Sequence, residues 1–197
     1  KIKTINPKMS NATKSSVSSE YVAEAYGKEL VKIAEHREDL IVLDGDLSAD
    51  CRIREFEEKF PDRFIENGIA EQDMVSMAGG LASQGLTPIV NSFASFLAAR
   101  PNEQIYNNST EKNKIIYVNH FAGIIPAGPG KSHQSIRDIS LLSAIPNVTI
   151  VQPCNSTEAS EALKYFVEKE SGVCVLRLNI GPSPQIIKLP NNYSFFE

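Results

Sequence analysis

Cysteine is scarce in this chain: three residues in 197, Cys51, Cys154 and Cys174, with no Cys-x-x-Cys spacing. An odd, scattered set excludes a disulfide framework and a cysteine-ligated zinc site, and fits a reducing compartment. No basic stripe or arginine-rich tail exists and the net charge is −4, so a nucleic-acid partner is not expected. No apolar run is long enough to span a bilayer, and the N-terminus lacks the apolar core of a signal peptide. The expectation is therefore a cytoplasmic protein with no membrane partner. What is present is ordinary for a globular protein, 42% hydrophobic and 22% charged, and long enough for one sizeable core.

Residues 1–16 are polar, rich in Lys, Asn and Ser, without apolar period, and are expected to be a flexible lead-in. Ser18 or Ser19 is placed to cap a helix whose apolar face is Val22, Tyr26, Leu30 and Ile33. Leu40, Ile41, Val42 and Leu43 make a short strand apolar on both faces, ending at Asp44-Gly45-Asp46, as buried parallel strands do. The alternation then repeats. Helices are expected over 52–60, over 71–84 before Gly85, from 94 with Pro101 as a kink or a second start, and over 136–144. Another runs from Asn155, with Glu158 at capping-box spacing, to about 169. Strands are expected at 64–65, 88–90, 114–119, 148–151 and 173–178, with a Gly/Pro-rich loop over 120–132. This order predicts an α/β fold over 17–180, a doubly wound, mostly parallel sheet with helices on both faces. Residues 181–197 are Pro- and Asn-rich and carry Tyr193, Phe195 and Phe196, an expected linker toward a further domain.

Ligands in such folds sit at the carboxyl ends of the strands. Asp44, Asp46, Glu71, Ser92-Phe93 and His120 fall there. Glu71 is flanked by Ile69, Ala70 and Met74, and a carboxyl in an apolar setting can hold a proton near neutral pH. The plainer reading is an exposed charge favoured by the helix dipole. Phe93 and Phe96 are either core residues or the wall of a site. His120 and His133 are either structural or catalytic. Asp44 and Asp46 can cap a turn, Asp138 can be an N-terminal helix charge, Lys131 a solvated loop charge, and Arg177 a structural ion-pair partner.

Three segments then fall into one pattern. They are Phe64-Ile65-Glu66-Asn67-Gly68-Ile69-Ala70-Glu71-Gln72-Asp73-Met74, residues 85–96 with Phe93 and Phe96, and Ser132-His133-Gln134-Ser135 with Asp138. In this order they resemble the pyrimidine-binding domain of the transketolase family, as do Asp44-Gly45-Asp46-Leu47 and residues 145–153 with Glu158. The resemblance runs from about residue 22 to 178. It implies thiamine diphosphate bound between two domains, usually of different subunits. It implies that Glu71 hydrogen-bonds a ring nitrogen of the aminopyrimidine and favours its imino form, which takes a proton from the thiazolium carbon. The cofactor carries the difficult chemistry, attack on a ketose or 2-oxo acid, while the protein orients it. Phe93 and Phe96 match the rings that wall the pyrimidine, where stacking adds about 1 kcal/mol beyond burial. The resemblance places Asp46 near the cofactor or the dimer seam, and sets His133, and less closely His120, in the substrate channel. Arg177 matches one of two arginines that many members carry near the last strand. No metal ligand is expected in this chain, because the magnesium ion belongs to a diphosphate-binding domain or subunit whose Gly-Asp-Gly is absent here. Expected partners are that domain or subunit, in a homodimer or heterotetramer, and a small-molecule sugar.

Departures from the pattern bear on substrate. Gly128-Pro129-Gly130-Lys131 precedes Ser132-His133-Gln134 where the family commonly has Asp-Gly-Pro-Thr. Ala99 replaces a third aromatic, Ile180 the second arginine, and Ser15 or Ser16 an arginine common in sugar-phosphate enzymes. These changes argue against a standard phosphorylated ketose. The expected reaction is transfer of a two-carbon ketol unit from a ketose to an aldehyde, inactive without the diphosphate-binding domain. The alternatives are a 2-oxo acid dehydrogenase beta-type subunit, a deoxyxylulose-phosphate-synthase-like subunit, or a non-catalytic dimerisation module.

Overall fold

A computed structural model describes residues 19–124 and 129–184. The expected lead-in over 1–16 and residues 185–197 of the expected linker, with Tyr193, Phe195 and Phe196, lie outside the described residues. In chain order the elements are β1 (Ser19–Glu20), α1 (Val22–Ala34), β2 (Leu40–Asp44), α2 (Arg54–Lys59), β3 (Phe64–Glu66), α3 (Glu71–Ser83) and β4 (Thr87–Phe93). There follow α4 (Ala94–Leu97), α5 (Asn102–Thr110), β5 (Ile115–His120), α6 (Asp138–Ser143), β6 (Val148–Val151), α7 (Ser156–Glu168), β7 (Val173–Arg177) and β8 (Ser183–Pro184).

Six strands form one parallel sheet in the order β3-β2-β4-β5-β7-β6. Alternate residues of each strand feed opposite faces, as the period of two demands. Val42, Ile89, Ile116, Val118, Cys174 and Leu176 meet Tyr26 and Leu30 of α1, Phe56 of α2 and Leu163 and Phe166 of α7. Their neighbours Leu43, Val90, Ile115, Tyr117, Val173 and Val175 meet Met74, Val75 and Ala78 of α3, Leu97, Ile105 and Leu142. Burial of each large side chain contributes about 1.5–3 kcal/mol, so both faces anchor the sheet. The fold class is the one expected, and no described helix is long and apolar enough to cross a membrane.

Gly27 lets α1 approach the turn before α2: a Cβ there would collide with the Arg52 backbone carbonyl oxygen. Gly27→Ala should therefore cost about 1–3 kcal/mol. A urea midpoint equal to that of the unmodified chain would contradict this packing.

Three local expectations are corrected. Ser19 does not cap α1: it pairs with Pro184 in the antiparallel β1–β8 ribbon, and Tyr21 is the N-cap residue without a side-chain bond. The strand expected at 88–90 runs on to Phe93 because Asn91 finds partners inside the fold. His120 closes β5 rather than opening a loop. Elsewhere Asn155 Oδ1 accepts from the Glu158 amide at 2.9 Å, while Glu158 reaches the Cys154 amide at 2.7 Å, one residue before the expected return bond.

Candidate functional site

The parallel order brings the carboxyl ends of β2, β3, β4 and β5 to one edge of the sheet, where α3 begins. Glu71 is the first residue of α3 and its side chain is only 4% exposed, at a cleft lined by Ile69, Ala70, Gln72, Asp73 and Arg100. Met74 is buried beneath it, but Ile69 is 74% exposed and Ala70 is also exposed, so the expected apolar enclosure is corrected. The group facing the carboxylate is a cation. Arg100 Nη1 donates to Glu71 Oε1 at 2.5 Å, and the same guanidinium lies 3.9 Å from the centre of the Phe96 ring. No other hydrogen bond to the Glu71 side chain occurs among the described residues, which leaves Oε2 available to a ligand.

An aromatic wall adjoins the cleft. Phe93, buried at the end of β4, stacks on Phe121 with ring centres 4.0 Å apart and meets Phe96 at 5.6 Å. The His133 ring stands 5.1 Å from Phe96 and 5.7 Å from Phe93, and its Nδ1 pairs with Ser132 Oγ at 2.9 Å. The structure thus brings Glu71, Phe93, Phe96 and His133 together. Beyond His133, a cavity of about 330 Å³ opens between the Ala94–Ala99 stretch and the segment holding Lys131, Ser132 and Arg137, beside the alanine that replaces a third aromatic.

His120 is 1% exposed and lies opposite Phe93 in the β4–β5 register, but its ring is engaged by Asn91 and Tyr26. Its Nε2 pairs with Asn91 Oδ1 at 3.2 Å, the same oxygen that accepts from Tyr26 Oη at 2.7 Å, and the Tyr26 ring meets it edge-on. Burial, with the Arg52 charge adding to it, pushes the imidazole down to about 3, so His120 is neutral at physiological pH. Arg177 is equally engaged. Its guanidinium donates to Asp138 Oδ2 at 2.6 Å and Oδ1 at 3.3 Å, and also to Gln152. Asp138 stands at the first residue of α6, the helix-start charge expected, and at 2% exposed it is also the buried partner of Arg177. Asp46 is exposed at the β2 end with φ of 63°. Asp44 is fully buried and caps the following turn, accepting from the Leu47 amide at 2.8 Å. Arg100, Phe121 and Glu66, which holds two loop amides, were not among the residues singled out from sequence. Arg100 alone had a local signal, one helical turn after Phe96.

The pyrimidine half of thiamine diphosphate presents a flat ring with one edge of nitrogen donors and acceptors. A buried carboxylate with one unclaimed oxygen beside an aromatic wall fits it. Ser92 Oγ and the Asn119 amide, opposite one another in register, are buried at the same strand ends without partners among the described residues. No group of three His, Cys, Asp or Glu able to hold a metal ion occurs among them either.

An open parallel sheet with its cleft at the carboxyl edge defines a ligand-binding α/β domain. Residues 21–181 match the transketolase pyrimidine binding domain family, and the chain belongs to that family. It is 35% identical over 151 residues to the putative transketolase C-terminal section of Methanocaldococcus jannaschii, covering 76% of this chain and 48% of the relative. It is 31% identical over 156 residues to the 1-deoxy-D-xylulose-5-phosphate synthase of Listeria monocytogenes, covering 79% of this chain and 26% of that enzyme. Among solved structures, a split-gene transketolase described as an inactive beta4 tetramer superposes with a TM-score of 0.77 at 31% identity, over 90% of this chain and 57% of that one. The transketolase of Campylobacter jejuni, at 18% identity, shares the fold with a TM-score of 0.80 over 87% of this chain and 27% of its own. The chain thus spans about half the length of the archaeal relative and a quarter of the synthase.

Proposed function

We propose that this chain is the pyrimidine-binding part of a two-part thiamine-diphosphate transferase, moving a two-carbon ketol unit from a ketose to an aldehyde. The observation that carries this reading is the buried Glu71 carboxylate with a free oxygen at the sheet's carboxyl edge, beside Phe93 and Phe96. When bound, the cofactor supplies an electron sink for breaking and making a carbon–carbon bond next to a carbonyl. Glu71 holds a proton at the ring nitrogen of the pyrimidine, with Arg100 fixing the carboxylate's direction. Phe93, kept flat by Phe121, and Phe96 exclude water from the ring faces. Asp46 borders the cofactor from the end of β2, and His133 reaches the substrate side of the wall.

Magnesium and the diphosphate belong to the missing half, a separate domain or subunit in a homodimer or heterotetramer working in the cytoplasm. The partial coverage of the relatives, one of them a C-terminal section, supports this division. The likeness to deoxyxylulose-phosphate synthases keeps a ketose-forming condensation as the second reading. Titration calorimetry separates the halves: thiamine diphosphate with magnesium should bind this chain weakly or undetectably until the diphosphate-binding partner is added. Tight magnesium-dependent binding by the chain alone would refute the two-part assignment.

A further inference from the structure

Two acids lie side by side where the site loops begin. In the β2–β3 register Asp44 is opposite Glu66, so both carboxyls project to the same face of the sheet. Asp44 is 0% exposed; its Oδ2 accepts from the Leu47 amide, and its Oδ1 has no partner unless one of the two acids carries a proton. Glu66 Oε1 accepts from the Asp46 amide at 2.9 Å and from the Gly68 amide at 2.6 Å. Both donors have left-handed backbones, φ of 63° at Asp46 and 65° at Gly68. That conformation is costly for Asp46, which has a Cβ, and persists where surrounding contacts hold it. The two loops are tied again by the Asn67 amide on the Asp44 carbonyl at 2.9 Å, and the Gly68 carbonyl takes the Ala70 amide at the start of α3.

We propose that Asp44 and Glu66 share one proton across the β2–β3 register and act as a positioning pair, fixing the turn at Asp46 and the turn at Gly68 that leads into Glu71. Asp44 donates that proton from Oδ1 to the Glu66 carboxylate, satisfying the orphaned oxygen while Glu66 keeps the negative charge that draws in both loop amides. The Asp44 carboxyl is pushed up to about 7, by burial first and then by Glu66, against the pull of the Leu47 amide. The other titratable groups facing it are Tyr26 from α1 and Cys51 from the turn after β2, both pushed up by burial and so neutral. An acid raised in the folded state binds its proton more tightly there than in the unfolded chain. Its stabilising contribution is complete below about pH 4 and is lost as pH rises toward about 7.

The test is an NMR titration of the full chain from about pH 5 to about pH 9, following the Asp46 and Gly68 backbone amides. Both should shift together with one midpoint near neutrality, and Asp44→Asn, whose amide donates permanently, should abolish the transition. Glu66→Gln should move the midpoint down by about one unit or more. Separate midpoints for the two amides, or a transition surviving in Asp44→Asn, would overturn proton sharing. The positioning role rests on the function proposed above and is read separately, as thiamine diphosphate affinity of the chain with its diphosphate-binding partner. Asp44→Ala should weaken it more than about tenfold and Asp44→Asn should restore it. Equal affinities for Asp44→Ala and the unmodified chain overturn positioning. Absence of binding by the unmodified pair overturns the cofactor reading instead, with the amide titration still deciding the shared proton.

Discussion

Glu71→Ala, assayed in the chain joined to its diphosphate-binding partner, should lower turnover by about 10²–10⁴-fold while leaving the fold intact. The loss is this large because, among the described residues, Glu71 is the one buried carboxylate lining the cleft, and its bonded neighbour there is Arg100. Alanine strands no buried charge, since the Arg100 side chain is 42% exposed and can turn to solvent. A stability change of less than about 1 kcal/mol is therefore expected beside the kinetic collapse. Unchanged turnover would remove Glu71 from the chemistry and favour a non-catalytic module of the same fold.

The second large effect is on stability. Asp138→Ala should cost about 3–5 kcal/mol by chemical denaturation, because it leaves the Arg177 guanidinium buried without its carboxylate. Arg177 ties the end of β7 to the first residue of α6 and, through Gln152, to the chain after β6, so the outer part of the sheet should loosen with it. A variant of unchanged stability with a raised KM would return Arg177 to the substrate role that the family resemblance implies.

The contrast between Glu71 and Arg177 shows what sequence could carry. The buried parallel strands were legible because residues such as Leu40, Val42 and Leu43 are apolar on both faces, a pattern that few other arrangements satisfy. Glu71 was legible from its place after a strand and at a helix start. Its partner was not: Arg100 lies 29 residues away, and only the return of the chain through β4 brings the two together. For the same reason Asn91 looked like the end of a strand, when Tyr26, 65 residues earlier, lets the polar side chain stay buried within it. The Glu66 contact to Asp46, 20 residues away in sequence, exists only because β3 pairs with β2, whereas its bond to the Gly68 amide is local. Arg177 and Asp138 were each visible, but nothing in the sequence told that they would consume one another.

The stacking of Phe93 on Phe121 has a further consequence for how a ligand is received. Side chains that must be immobilised on binding each cost about 0.5–1.5 kcal/mol, and here one ring is already fixed by its neighbour and by the end of β4. A pyrimidine bound as proposed would thus meet a Phe93 ring already held in place by Phe121. On the proposed reading, weak affinity of this chain by itself would reflect contacts that the diphosphate-binding partner supplies, not disorder of the Phe93 ring.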